Sequence, residues 1–402
     1  MNISSIKKII FEEFQRENLH FFVVLACLLM QMLSFGQAYR LFAYVNLLIV
    51  MFYGFNYSRK YMGLGSKKLL LYVLSIPLGF IVIHFFAVGN LVIIKEMRHI
   101  ILASFLALGI WILAKTNHDY IRKRIFGFTI ALIFIYVTSQ AVALWWFNQL
   151  YGTAKNPHYL ALYSAVSLIV AVFCFFRVPT QFKWVIAIFI LLSGVLLIKS
   201  SSRPTWIGLI CASFLVVLFL SKRSRIYFSL FITTVLIGLT LTNVGNFEGR
   251  FKDLLTNLNT EERVVIWQDA WKMQRDSSVT QWVVGHGLDT FEKNYKPYSH
   301  YHLEKVDFNS PHNFILELLY ISGVFGLLLA IFMLVMIYKS LIFNINRQTK
   351  YKNIYLLLMA VLTSNLILVS ITLPLFTSYN LNVLAVVAGS MLYLREALNR
   401  QT

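Results

Sequence analysis

Residues 309–338 read NSPHNFILELLYISGVFGLLLAIFMLVMIY. From Asn313 to Tyr338 the only charged side chain is Glu317. As an α-helix this run is about 39 Å long, more than the ~30 Å hydrocarbon core of a bilayer. Lipid gives the backbone no hydrogen-bonding partner, so a run of this length and polarity reads as a membrane-spanning helix. Pro311 pushes the residue before it toward extended backbone, so His312 stands at the helix start, at the rim of the membrane.

Runs of the same character recur along the chain. They fall at about 20–36, 40–56, 69–89, 97–114, 125–147, 158–176, 183–199, 204–220, 226–243, 313–338, 354–373 and 378–395. The expected fold is an all-α polytopic membrane protein with about twelve transmembrane helices. Its organisation is nine spans over 1–243, one large hydrophilic loop over 244–312, and three spans with a tail over 313–402.

Composition agrees. Of 402 residues, 58% are hydrophobic and 13% charged, whereas soluble domains carry about a quarter charged residues. A soluble globular enzyme and a disordered chain are both excluded. The net charge of +19 does not point to nucleic acid, because the Lys and Arg residues lie in short stretches between apolar runs. Cys27, Cys174 and Cys211 all lie inside apolar runs and form no CxxC pair, so neither a disulfide framework nor a thiolate metal site is expected. The polar stretch Met1–His20 is longer than a signal n-region, and its apolar run is expected to stay as a helix.

The basic residues orient the chain. With the N-terminus in the cytoplasm, the inner connections hold Arg59, Lys60, Arg122, Lys123, Arg124, Lys222, Arg223 and Arg225, among others. The short outer loops hold far fewer. This is the positive-inside pattern, and it places both termini in the cytoplasm. The 244–312 loop then lies outside. Within it Val264, Trp267, Ala270 and Trp271 recur at helical spacing, which predicts an amphipathic helix over the membrane mouth. The aromatic run Trp145-Trp146-Phe147 fits an interfacial belt.

Four clusters carry polar chemistry. Lys199-Ser200-Ser201-Ser202-Arg203-Pro204-Thr205-Trp206 sits at an outer junction of two spans. Pro204 suits a first helical turn, and Ser202 is placed to cap it. The cluster is either a plain turn with Arg203 reaching for headgroups, or an anion site built from a helix N-terminus and a guanidinium. Glu261-Glu262-Arg263 opens the loop helix, either as a surface ion pair or with Arg263 aimed at the same anion. Gly285-His286-Gly287 follows no strand, so dinucleotide binding is rejected and a tight turn is expected. Asn309-Ser310-Pro311-His312-Asn313 opens the quoted helix. His312 suits a general base, Asn313 and Glu317 are spaced to share a helix face, and Glu317 is an ionisable group at membrane depth. His300, His302 and Glu304 have near-ligand spacing without a second cluster. His84 and Asn365 read as interhelical hydrogen-bonding groups.

Taken in order, the serine–arginine step, the arginine of the late outer loop, the GxG turn and Pro311-His312-Asn313 with Gly323 and Gly326 behind it resemble the O-antigen ligase and polymerase superfamily. The resemblance covers about 185–395 and is closest to the ligases. It implies a fold like that of other membrane glycosyltransferases that use lipid-linked donors. It also implies transfer of O-antigen from undecaprenyl diphosphate to lipid A–core at the periplasmic face of the bacterial inner membrane, without metal, ATP or other cofactor. The family's essential residues fall on Arg203 and Arg263, as diphosphate-binding groups, and on His312 as catalytic residue. Ser202, Trp206, Asn313 and Glu317 are the expected supporting residues. Pro204 is a departure from the usual step. Two alternatives stay open: a polymerase, whose acceptor is a second lipid-linked glycan, and a transporter for a lipid-linked sugar. The scarcity of charges at mid-span depth speaks against transport.

Overall fold

The computed structural model describes residues 18–57, 64–89, 95–116, 118–154, 156–220, 222, 225–226, 262–300, 308–347 and 350–399. The described residues are 84% helix, with no strand among them. The helices are α1 (Leu19–Met32), α2 (Gly36–Tyr57), α3 (Leu64–Val88), α4 (Lys95–Thr116), α5 (His118–Ala141), α6 (Pro157–Phe175), α7 (Lys183–Ser200), α8 (Arg203–Leu218), α9 (Glu262–Arg275), α10 (Val279–Val284), α11 (Phe291–Tyr295), α12 (Phe314–Asn346), α13 (Lys352–Ile371) and α14 (Ser378–Asn399). Seven of these segments are long and apolar enough to cross a membrane, and four more are shorter apolar helices. Eleven of the expected spans therefore coincide with apolar helices. The expected span 226–243 lies almost wholly outside the described residues, as do 244–261 and 301–307 of the hydrophilic loop.

The chain divides into two compact units. One draws on Met1–Leu78, Arg98–Lys155 and Leu381–Thr402. Its core packs Phe21, Val24, Tyr39, Leu102, Leu106, Trp111, Ala385 and Leu392. Two pairs of its buried polar groups cross between helices. Tyr39 donates to Asn382 Oδ1 (3.1 Å), and Asn46 Nδ2 donates to the Phe105 carbonyl (3.0 Å). A buried polar group without such a partner costs about 1–3 kcal/mol, so each pair also helps to fix helix register. Trp145, Trp146 and Phe147, at the end of α5, are exposed.

The second unit, Gly79–Met97 with Asn156–Asn380, holds every candidate site residue. Trp206 is partly buried on the Ala161, Ala165 and Leu197 cluster, so it anchors α8 against α6 and α7. Helix α8 also approaches α13 backbone to backbone, since a Cβ on Gly208 would lie 2.8 Å from the Ser364 carbonyl.

Helix α12 is broken at Gly323, which has φ 63° and ψ −170°, a conformation essentially closed to other residues. An α-helix pairs each N–H with the carbonyl four residues back, so the break frees the carbonyls of Tyr320 and Ile321. They accept instead from His286 N (2.7 Å) and Gly287 N (3.0 Å). Gly285 and Gly323 permit the approach: a Cβ on either would come within 2.4 Å of the other segment's backbone. The GxG turn is thus a tight turn, as expected, and it clasps the hydrophilic segment to the broken helix. His286 stacks on the Tyr320 ring (4.4 Å between centroids) and has Nε2 2.8 Å from Ser277 Oγ. Beside it, His84 Nδ1 accepts from Leu288 N (3.2 Å).

The expected loop helix is present as α9, but its buried face is centred elsewhere. Ile266, Asp269, Ala270, Met273 and Gln274 are buried, while Trp271 is exposed. The indole pattern misplaced the face because Trp271 packs edge-on against Trp282 of α10 (6.0 Å) instead of entering the core.

Candidate active site

The site is built at one end of the second unit, where α6, α8 and α12 begin. Helix α7 ends at Ser201, a left-handed C-cap with φ 53°. Ser202 then occupies the N-cap position of α8, with Pro204 in the first turn. The Ser202 hydroxyl does not cap the helix. It lies 2.9 Å from Thr205 Oγ1 and 3.1 Å from His158 Nδ1. The hydroxyl is drawn sideways because a histidine ring competes for it. Arg203, next along, has a buried Nη1 with no hydrogen-bond partner.

His158 enters from the start of α6. Asn156 caps that helix by accepting from His158 N (2.8 Å), and Pro157 fills the first turn. Tyr159 stacks on Tyr379 at 3.8 Å, which fixes the same turn from the other side.

Arg263 lies in the first turn of α9, half-buried, next to an exposed Glu262. Glu261 lies outside the described residues. The guanidinium acts electrostatically on both His158 and His312, so the structure brings Arg263 to the two histidines. One turn further on, Trp267 Nε1 is buried without a partner.

His312 has φ 52°. A left-handed backbone at a residue with a Cβ costs about 1–3 kcal/mol and persists only where its surroundings hold it. Its N–H donates to Ser310 Oγ (3.2 Å), and its ring hydrogen-bonds to the Thr372 backbone. Nδ1 is buried and has no partner. Phe308 meets the ring edge-on at 6.4 Å, and Tyr295 in turn meets Phe308 at 6.1 Å. Burial first, then the charge of Arg263 and the nearby His158, hold the imidazole pKa well below its usual 6.5, at about 3. His312 is therefore neutral at physiological pH, with a bare nitrogen available to take up a proton.

Two expected supporting residues act differently from the reading of the sequence. Asn313 and Glu317 do not form a shared polar face. Asn313 is the N-cap of α12, and its Oδ1 accepts from Ile315 N (3.0 Å) and Leu316 N (3.1 Å). Glu317 is buried, and its Oε2 accepts from Leu375 N (2.9 Å). The carboxylate thereby ties the α13–α14 connection, three residues beyond Thr372, to the start of α12.

Residues 187–331 match the family model of the O-antigen ligases. That segment is similar to the O-antigen ligases. The matched segment runs from α7 into α12 and includes Arg203, Arg263 and His312. Its family is one of membrane proteins that transfer glycans as ligases or polymerases. A comparison with curated proteins finds no significant match.

Sequence reasoning did not find His158 or Thr372, and it gave Thr205 no role within its cluster. Asn156-Pro157-His158 carries the signal that marked His312: a capping Asn, a Pro, and a His opening an apolar helix. Of the near-ligand group His300, His302 and Glu304, the described residues include only His300. His300 is paired with the buried Asp269, His302 and Glu304 lie outside the described residues, and no His/Cys/Asp/Glu group suited to a metal occurs among the described residues.

Proposed function

We propose that the protein is an O-antigen ligase. It transfers O-antigen from undecaprenyl diphosphate to the lipid A–core oligosaccharide, at the periplasmic face of the bacterial inner membrane, with both termini in the cytoplasm. The observation that carries this reading is the meeting of Arg263 with His312 at the end of the unit where Arg203 opens α8. Two guanidiniums suit a diphosphate, whose charge grows as the sugar leaves. A neutral imidazole with a bare, buried nitrogen suits a base for a sugar hydroxyl.

In the reaction, the acceptor hydroxyl oxygen bonds to the anomeric carbon of the donor sugar as the bond from that carbon to the phosphate oxygen breaks. The hydroxyl proton passes to His312 Nδ1, and undecaprenyl diphosphate leaves on Arg203 and Arg263. A single displacement inverts the anomeric centre. The glycosyl–phosphate bond supplies the driving energy, so neither ATP nor a metal is required. Bound diphosphate also offsets the Arg263 charge that depresses His312, so the donor itself raises the basicity of its catalyst.

The lipopolysaccharide of a strain lacking the gene tests the assignment. Loss of all O-antigen from lipid A, with polymer accumulating on the lipid carrier, is expected. A single repeat unit still attached to lipid A would instead mean a polymerase, and loss of polymer export would mean a transporter.

A further inference from the structure

His158 has one nitrogen committed and one to spare. Its Nδ1 is 3.1 Å from Ser202 Oγ, which is 2.9 Å from Thr205 Oγ1. Ser202 and Thr205 are both 1% exposed, so this hydroxyl relay is shielded from water. The two nitrogens of an imidazole face away from each other, and fixing one sets the role of the other. Protons running from Thr205 to Ser202 to Nδ1 leave the ring with its hydrogen on Nε2. Run the other way, they leave Nε2 as an acceptor. Beside the cationic Arg263, an anion selects the first direction, because only that tautomer offers it a donor.

We propose that His158 is a further binding residue for the diphosphate of the donor, with Nε2–H donating to a phosphate oxygen while the Ser202–Thr205 relay holds Nδ1. This rests on the ligase reading above and goes beyond it. His158 lies outside the family-matched segment, at the start of α6. The ring stands at the first turn of α6, whose N-terminal dipole favours an anion in the same place. It adds a neutral donor to two cationic ones, which orients the diphosphate without adding charge that would hold the product.

The test compares His158→Asn, His158→Gln and His158→Ala in transfer assays of the full-length protein, varying lipid-linked donor and lipid A–core separately. Asn places its amide near Nδ1 and keeps the bond to Ser202, whereas Gln reaches the position of Nε2. A hydrogen bond to a charged group contributes about 1.5–3 kcal/mol, so Ala and Asn are expected to raise donor KM about 10- to 100-fold. Gln is expected to stay within about threefold of the wild type by the same measure, and acceptor KM to be unchanged throughout. Activity of the Gln variant also shows that the helix start still folds. An unchanged donor KM in His158→Asn, equal losses in Gln and Ala, or a shift in acceptor KM would each overturn the proposal. Arg263→Ala is run alongside. If it is inactive while His158→Asn is normal, only the role of His158 falls; full activity of Arg263→Ala would remove the diphosphate reading itself.

Discussion

His286 is bound to Tyr320 twice: its main-chain N–H donates to the Tyr320 carbonyl at 2.7 Å, and the two rings stack with centroids 4.4 Å apart. The carbonyl is available because α12 breaks three residues later, at Gly323. The segment carrying Arg263 is thus docked on the helix that His312 precedes, and the site depends on that docking.

Gly323→Ala tests the clasp. Its Cβ would sit 2.3 Å from the Val283 carbonyl, in a backbone conformation that excludes side chains. A loss of about 3 kcal/mol or more is expected, from strain together with overpacking. Thermal unfolding in detergent measures it, and transfer activity should fall with it even though no polar site residue has changed.

Glu317 is expected to be a structural tie. Glu317→Gln keeps an acceptor for the Leu375 N–H and should retain most of the stability. Glu317→Ala strands that buried N–H and should cost about 1–3 kcal/mol. Calorimetry of both variants checks this. If Gln were as damaging as Ala, the negative charge would be what matters.

His312 contributes to the response to acid. Its folded pKa, about 3, lies below the usual 6.5, so the unfolded chain binds the extra proton first. The stability it contributes is present above about pH 6.5 and is lost as pH falls from there toward 3. Activity should behave correspondingly. The acid limb of kcat/KM should lie well below pH 6, and the limb of kcat should lie higher, because bound diphosphate offsets Arg263. His312→Gln should reduce the stability lost to acid between those limits without abolishing it, because acid must also charge His158, half-buried within reach of the same guanidinium.

Arg203→Ala and Arg263→Ala should each lower kcat about 10²- to 10³-fold, the scale for removing a donor at a developing negative charge. Lys at either position should recover only part of this, since an ammonium cannot grip two phosphate oxygens in the manner of a guanidinium. Steady-state kinetics on saturating donor measure both.

Local patterns in the sequence were good guides wherever the physics was local. The length and polarity of 313–338 specified α12, the spacing of apolar residues after Glu262 specified α9, and the glycines of 285–287 specified a turn. Arg263 and His312 were each readable as residues at helix starts, but only the family resemblance joined them in one site. What escaped was long-range. His158 meets Ser202 across 44 residues and Glu317 meets Leu375 across 58, and no helical or capping rule links such pairs. The capping role expected of Ser202 failed for this reason: the local rule was outcompeted by a distant ring. The break in α12 was hidden too, because Gly323 lies in an otherwise uninterrupted apolar run and is forced open only by the turn that docks there.

The most direct test of the account is transfer by the purified protein. Undecaprenyl-diphosphate-linked O-antigen and lipid A–core are mixed with it in EDTA, without nucleotide, and the lipid products are separated on a gel. The account predicts O-antigen joined to lipid A–core by the wild type, and its loss in Arg263→Ala and His312→Ala. Chain growth from the donor alone, or transfer that survives both substitutions, would contradict it.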